Sequence, residues 1–238
     1  MKRAAKKTAY ILLAALMLAS MLLCGCVKEK KKGAQGGKPV RLAEQTEEPM
    51  PRTKNPLTVT TRVTEESGCL MRYPYVTNAG MSVLNLSLIS AFSEFTANCE
   101  LENAEISYTV EFNKLGVLSL MLFCTSGDGR VLYEDTANFD CFTGLRVYLP
   151  DLFAQDANYK DRLSLLVTKE IEARGLTTIS DLPPMDESRP FLFTHGGIYV
   201  VYREYELCTH DAGTVKLLVR KSLISDLADP EGPITRLG

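Results

Sequence analysis

The clearest pattern along the chain is a strict alternation of apolar and polar positions from residue 104 to residue 112. A period of two places one set of side chains in a core and the other in water, which predicts a half-buried β-strand. Residues 117–124 are nearly all apolar and predict a more buried strand, and a third strand is predicted over residues 131–139. Turns containing glycine at residues 113–116 and 126–129 join these strands, so the pattern predicts an antiparallel meander.

Two helices and a second pair of strands complete the predicted fold. Apolar residues recur at helical spacing over residues 81–95 and over residues 158–174, where Gly175 provides a stop signal. Two more strands are predicted over residues 198–207 and 214–219. Because the strands come in runs with helices between them, the fold class is α+β. We expect an antiparallel sheet, made of the meander plus a C-terminal hairpin, packed against two main helices.

The first 26 residues resemble the export signal of a bacterial lipoprotein. Basic residues from Lys2 to Lys7 precede an apolar run over residues 9–23, which is short for a membrane span of about 20 residues. The run ends in Leu23-Cys24-Gly25-Cys26, which resembles a lipobox. The resemblance implies cleavage before Cys26, diacylation of Cys26, and an extracytoplasmic protein anchored to the cell membrane. An uncleaved signal anchor is the alternative.

The predicted organisation has five parts, which differ in composition. They are a signal peptide (1–25), a flexible tether (26–56), two halves of one folded module (57–113 and 114–228) and a short tail (229–238). Residues 57–238 carry 15 basic and 25 acidic residues, a net charge of −10. Because phosphate binding requires clustered Lys and Arg, this charge argues against nucleic acid as a partner. It is compatible with a cationic partner.

A series of short motifs gives the folded part a family resemblance. The motifs are Asn138-Phe139-Asp140, Thr143-Gly144, Leu149-Pro150-Asp151-Leu152-Phe153, Phe191-Leu192-Phe193-Thr194, Gly197-Ile198-Tyr199-Val200, Tyr205-Glu206 and Ala212-Gly213. With them, residues 57–227 resemble the extracellular domain of RsiV-type anti-sigma factors. The same module resembles the non-catalytic N-terminal domain of PdaC-type peptidoglycan deacetylases. The resemblance implies an extracytoplasmic α+β module, and RsiV-type domains bind lysozyme, a strongly cationic enzyme that degrades cell walls.

The chain also differs from both families. Only eight residues precede the apolar run, so we expect no sigma-factor binding, and we expect no PdaC-type catalytic domain. The leading hypothesis is therefore a non-catalytic, lipid-anchored envelope protein that binds lysozyme or a similar cationic protein. A peptidoglycan-binding module is the alternative, and a hydrolase that acts on the cell wall is a second alternative.

The candidate ligand-binding residues lie near the end of the chain: Tyr202, Glu204, Glu206, His210 and Asp211. Tyrosine offers a large rigid contact area with a polar tip. Glu204 and Glu206 are two positions apart on a predicted strand, so they would share one face. The alternative is that these residues form an ordinary sheet surface and loop without a ligand-binding role.

Motifs for catalysis or metal binding are weak. His195, Cys208 and His210 provide three possible ligands without a further cysteine pair, so we expect no metal and no other cofactor. The chain contains no G-x-S-x-G, H-E-x-x-H or P-loop motif, so we do not expect an enzyme.

Five cysteines follow Cys26: Cys69, Cys99, Cys124, Cys141 and Cys208. Five is an odd number, so at least one of them is unpaired. A disulfide is permitted outside the cytoplasm, and the alternative is that all five are small buried apolar residues. Their spacing leaves the pairing open.

Overall fold

The computed structural model describes residues 50–66 and 68–238. The strands of this part are β1 (Val59–Glu66), β2 (Cys69–Val76), β3 (Ala104–Lys114), β4 (Val117–Ser126), β5 (Val131–Asp140), β6 (Leu145–Val147), β7 (Phe191–Thr194), β8 (Gly197–Tyr202) and β9 (Val215–Arg220). The helices are α1 (Ser82–Thr96) and α2 (Tyr159–Arg174). The predicted signal peptide, the predicted lipidation site Cys26 and most of the predicted tether lie outside the described residues.

Strands β3, β4 and β5 form the antiparallel meander that the sequence predicted. They belong to a six-stranded sheet of order β1-β2-β3-β4-β5-β6, in which β2 and β3 are parallel and the other neighbours antiparallel. The nearly continuous apolar run of β4 is explained by its position, because other elements pack on both of its faces. The α+β fold class is confirmed.

Helix α1 covers one face of the six-stranded sheet through buried Leu84, Leu88 and Phe92. The polar residue Asn85 of this helix is buried with them. Its side-chain oxygen accepts the Val76 amide at 2.8 Å, and its nitrogen donates to the Val76 carbonyl at 2.9 Å. Because a buried amide without partners costs about 1–3 kcal/mol, this pair of bonds fixes the end of β2 against the helix.

Strands β7, β8 and β9 form a separate antiparallel sheet, in which β8 and β9 are the predicted C-terminal hairpin. The strand predicted over residues 198–207 is too long, because β8 ends at Tyr202. Tyr205 adopts a left-handed φ of 62°, and the Glu206 amide donates to the Arg203 carbonyl at 3.0 Å, which closes a turn. Leu207 and its neighbour Cys208 are buried loop residues, which explains why the apolar pattern continues past the strand.

Four strands were not predicted: β1, β2, β6 and β7. Most positions of β1 are exposed on both faces, so the strand carries no alternating apolar signal. Strands β6 and β7 contain only three and four residues, which is too short for a period to be recognised.

Helix α2 packs on the three-stranded sheet through Tyr159, Leu163 and Val167. Gly175 ends this helix with a φ of 61°, as the sequence predicted. The segment 229–238, which the sequence analysis set apart as a tail, contributes buried Ile234 and Leu237 to the same core. These last residues are therefore part of the folded structure.

A polar seam joins the two sheets where β7 crosses β4 and β5. The Phe191 amide donates to the Thr136 hydroxyl at 3.2 Å, and the Asn138 side chain donates to the Phe191 carbonyl at 2.7 Å. The Phe193 amide donates to the Ser119 hydroxyl at 2.9 Å. These bonds provide partners for the backbone groups on the edge of β7 that faces away from β8. They also hold the three-stranded sheet against the meander.

The described chain begins with a segment that contacts the folded domain. The Lys54 carbonyl accepts the Leu115 amide at 2.8 Å, so residues near the end of the predicted tether lie against the turn between β3 and β4. Within residues 50–66 and 68–238, neither helix has the length and apolar character needed to cross a membrane.

Candidate binding groove

A groove of about 450 Å³ lies between the first half of β5 and the loop that joins β8 to β9. Its lining residues are Val131, Leu132, Tyr133, Glu134, Arg203, Glu204, Tyr205, Gly213 and Thr214. We call the loop of residues 203–214 the β8–β9 loop. The exposed apolar side chains of Val131 and Leu132 form part of one wall, and exposed Tyr205 lies on the other. The groove thus combines aliphatic and aromatic surface with charged groups.

Arg203 attaches the β8–β9 loop to strand β5. Its Nε donates to the Glu134 carbonyl at 2.7 Å, and its guanidinium forms an ion pair with Asp135 at 3.1 Å. The guanidinium also lies over the Tyr133 ring at 5.1 Å. Because Arg203 makes contacts with three successive residues of one strand, it sets the distance between the two walls of the groove.

Glu206 fixes the inner side of the loop. It forms an ion pair with Arg189, whose side chain is only 6% exposed, and it accepts the Arg203 amide at 3.0 Å. Arg189 also donates to the Pro184 carbonyl at 3.3 Å. A buried guanidinium needs a charged partner, so the role of Glu206 is structural.

Glu204, Tyr205 and His210 form the outer rim of the groove. The Nδ1 atom of His210 is hydrogen-bonded to the Glu204 carboxylate, and this bond raises the pKa of His210 above its ordinary value. The His210 ring stacks on the Tyr205 ring with centroids 5.7 Å apart and 15° between the planes. The Tyr205 residue is 64% exposed, so its other ring face is open to a ligand.

The structure corrects the expected placement of three candidate residues. Tyr202 is fully buried under the guanidinium of Arg189, and burial raises the pKa of its hydroxyl to about 12. It is a core residue and offers no contact to a ligand. Glu204 and Glu206 do not share a strand face, because both follow the end of β8 in the turn and take part in different ion pairs.

The other two candidates lie on the β8–β9 loop. His210 is brought together with Glu204 at the rim. Asp211 is exposed in the short 3₁₀ turn His210–Ala212 and does not line the groove. The sequence analysis missed Arg203 and the apolar wall at Val131 and Leu132. The adjacent apolar residues at the first positions of a strand were a signal that could have been used.

The possible metal ligands are not brought together. Cys208 is buried in the core beside α2, and the His195 ring packs edge-on against Phe112 with centroids 5.6 Å apart. His210 lies at the groove rim. Among the described residues, no three His, Cys, Asp or Glu side chains form a group that could hold a metal ion.

Comparison with known proteins adds a family match. Residues 150–222 match the family model described as "Protein of unknown function (DUF3298)". The matched segment includes α2, the three-stranded sheet and the whole β8–β9 loop. No curated protein matches the chain in sequence.

Two solved structures of DUF3298 family proteins share the fold. One, from Bacteroides fragilis NCTC 9343, is 13% identical with a TM-score of 0.56, and the alignment covers 78% of this chain and 98% of that one. The other, from Pseudomonas aeruginosa PAO1, is 11% identical with a TM-score of 0.53, and the alignment covers 74% and 96%. At these identities the likeness is one of fold alone.

Proposed function

We propose that this protein is a non-catalytic, lipid-anchored envelope protein that binds a cationic protein through the groove beside the β8–β9 loop. A wall-degrading enzyme such as lysozyme is the partner that the RsiV-type resemblance suggests. The observation that carries the proposal is the rim itself, where an open tyrosine ring lies next to a carboxylate above an apolar wall.

Charge supports a cationic partner. Residues 57–238 have a net charge of −10, and the β8–β9 loop contains three acidic residues against one arginine. Complementary charge accelerates encounter and selects between partners more than it adds affinity. The apolar and aromatic surface must therefore supply most of the binding energy.

Tyr205 has the properties of a binding anchor. Tyrosine is enriched among the residues that dominate protein interfaces, because its ring gives a large contact area at small entropic cost. Here the His210 stack already holds the ring in place. The exposed Val131 and Leu132 add apolar surface across the groove.

The proposed location at the cell membrane supports a role in the cell envelope. Lipid on Cys26 would hold the chain at the outer face of the cell membrane, with the predicted tether (26–56) leading to the folded domain. The folded domain would then meet proteins that attack the cell wall.

Binding of the full chain in detergent to lysozyme tests the proposal. At low salt we expect a complex at micromolar concentration that weakens as salt is added, because opposite charges are screened. Glu204→Gln should weaken the complex, whereas Glu172→Gln, a change of an exposed glutamate on α2, should not. No complex at micromolar concentration and low salt would contradict the proposal.

One observation favours a peptidoglycan-binding module as a second candidate. The flat, open face of Tyr205, held by the His210 ring, is also a surface on which a sugar ring can pack. Sedimentation of the full chain with purified peptidoglycan separates the two, because a glycan ligand needs no protein partner. Release of soluble fragments from that peptidoglycan would instead support a hydrolase.

A further inference from the structure

Three of the buried cysteines lie together beneath the C-terminal end of α1. Cys69 opens strand β2, Cys124 lies in β4, and Cys99 follows the helix on the way to β3. All three belong to one core cluster and are free thiols in this structure. We propose that Cys99 and Cys124 form a disulfide when the protein folds in an oxidising compartment, and that Cys69 stays reduced.

The turn after α1 places Cys99 over the sheet. The Cys99 amide donates to the Thr96 carbonyl at 3.1 Å, and its thiol donates to the Phe95 carbonyl at 3.3 Å. This conformation directs the side chain into the core above β4. Phe95 stacks on Tyr133 with ring centroids 5.3 Å apart, and Tyr133 pairs with Cys124 across β4 and β5, so the turn lies over the part of β4 that contains Cys124. Burial raises the pKa of the Cys99 thiol, and the neighbouring Cys124 thiol raises it further.

Strand spacing excludes a bond between the two cysteines that lie in strands. Cys124 pairs with Ile106 of β3, and Ile106 pairs on its other side with Met71 of β2. Cys69 is on β2, so β3 separates it from Cys124 by two strand spacings, about 9.5 Å. Two Cα atoms more than about 7 Å apart cannot be bridged without backbone movement. A Cys69–Cys124 disulfide is therefore excluded.

The remaining two cysteines are too distant to compete. Cys141 follows Asp140, which pairs with Val117 at the opposite end of β4 from Cys124. Seven residues of strand separate the two ends, a distance of about 23 Å. Cys208 lies in the other core cluster, beside α2. Of the other four cysteines in the described residues, Cys99 is therefore the one within reach of Cys124, and we assign the bridge to this pair.

The bond would form by thiol–disulfide exchange with a small disulfide such as oxidised glutathione. The Cys99 thiolate attacks one sulfur of the oxidant, the oxidant's S–S bond breaks, and one glutathione thiolate leaves. The Cys124 thiolate then attacks the Cys99 sulfur and expels the second glutathione thiolate. The two protein thiols are oxidised, the oxidant is reduced to two thiols, and the protons of Cys99 and Cys124 pass to the leaving thiolates.

The thiol–disulfide exchange should take place during folding rather than in the folded domain. Burial raises the pKa of both thiols, so in the folded protein they stay protonated and unreactive. Of the three, Cys99 is the most accessible, because it lies in the turn rather than in a strand. Oxidation as the core closes would join that turn to the sheet around a loop of about 26 residues and stabilise the domain against unfolding.

Refolding of the full chain in a glutathione redox buffer tests this inference. Free thiols are blocked with iodoacetamide in denaturant, the disulfides are reduced, and the new thiols are labelled with N-ethylmaleimide before peptide mass spectrometry. We expect the second label on Cys99 and Cys124 and the first label on Cys69, Cys141 and Cys208. The first label on either Cys99 or Cys124 would overturn the inference.

A matched pair of variants gives an independent readout. Wild-type protein and Cys69→Ala should each lose about 5–10 °C of thermal midpoint on addition of a reductant, and Cys99→Ala should be insensitive to it. A reductant-dependent midpoint that persists in Cys99→Ala would also overturn the inference. The inference depends on the proposed function only for the oxidising compartment. Because the redox buffer replaces that compartment, failure here leaves the lysozyme-binding test unaffected.

Discussion

Glu204 and Glu206 lie two residues apart in the β8–β9 loop and have similar exposure, 32% and 25% of the side chain, but their partners differ. Glu206 faces inward and neutralises Arg189, whose side chain is 6% exposed. Glu204 faces outward to His210, whose side chain is 69% exposed. The loop therefore has a fixed base at Glu206 and an open rim at Glu204. Substitutions on the two sides should therefore separate stability from binding.

The largest effect should be a loss of stability caused by substitution of Glu206, at the base of the loop. Glu206→Ala would leave the buried guanidinium of Arg189 without a charged partner, which costs about 3–5 kcal/mol when a buried ion pair is broken. Because the Glu206 side chain is one quarter exposed, we expect the lower end of this range. Urea denaturation measures the loss of free energy of unfolding.

The control for this prediction is the neighbouring glutamate. Glu204→Ala should change the free energy of unfolding by less than about 1 kcal/mol, since exposed ion pairs contribute little. Equal destabilisation by the two variants would contradict the division of the loop into base and rim.

A smaller effect is expected at Tyr205, on binding rather than on stability. Tyr205→Gly removes the open ring and should weaken lysozyme binding at least about tenfold, or about 1.4 kcal/mol. The left-handed φ of 62° costs a non-glycine residue about 1–2 kcal/mol, so glycine should maintain or raise the stability. Titration calorimetry and thermal unfolding measure the two quantities on the same sample.

Tyr148 provides a matched control, because it is also an exposed tyrosine but does not line the groove. Tyr148→Ala should bind lysozyme as wild-type protein does. Normal binding by Tyr205→Gly, or an equal loss in Tyr148→Ala, would place the contact surface elsewhere.

The smallest effect concerns the charge of His210. The hydrogen bond to Glu204 raises the pKa of His210, so Glu204→Gln should move that pKa down toward the ordinary value of about 6.5. A raised pKa means that this bond stabilises the folded protein below the ordinary pKa. Its contribution is lost as the pH rises through the folded value. The effect on unfolding is small because the ring is exposed.

NMR titration of the imidazole measures this pKa directly. Glu172→Gln serves as the control and should leave the titration of His210 unchanged. The same pKa in wild-type protein and in Glu204→Gln would show that the carboxylate does not hold the ring.

The sequence predicted the parts of the fold whose signal is local and periodic. The alternation from Ala104 to Phe112 and the helical spacing before Gly175 each depend on one buried face, and the structure confirms both elements. Strand β1 gave no such signal because it is exposed on both faces. Its place at the sheet edge depends on pairing with β2, a contact that composition does not encode.

The groove could be predicted only in part. The sequence pointed to the β8–β9 loop, and Glu204 and His210 do meet there. Tyr202 was expected at the surface, but its side chain packs in the core beside α2. The two glutamates were expected on one strand face, which is wrong because the strand ends at Tyr202. The other wall is about 70 residues earlier in the chain, and Arg203 joins it to the loop through tertiary contacts.

Hydrogen exchange of the full chain with and without lysozyme is the most direct test of the central claim. We expect bound lysozyme to slow amide exchange in residues 131–134 and 203–206, the two walls of the groove, and to leave exchange in α1 unchanged. Protection confined to other surfaces, or no protection at micromolar lysozyme and low salt, would contradict it.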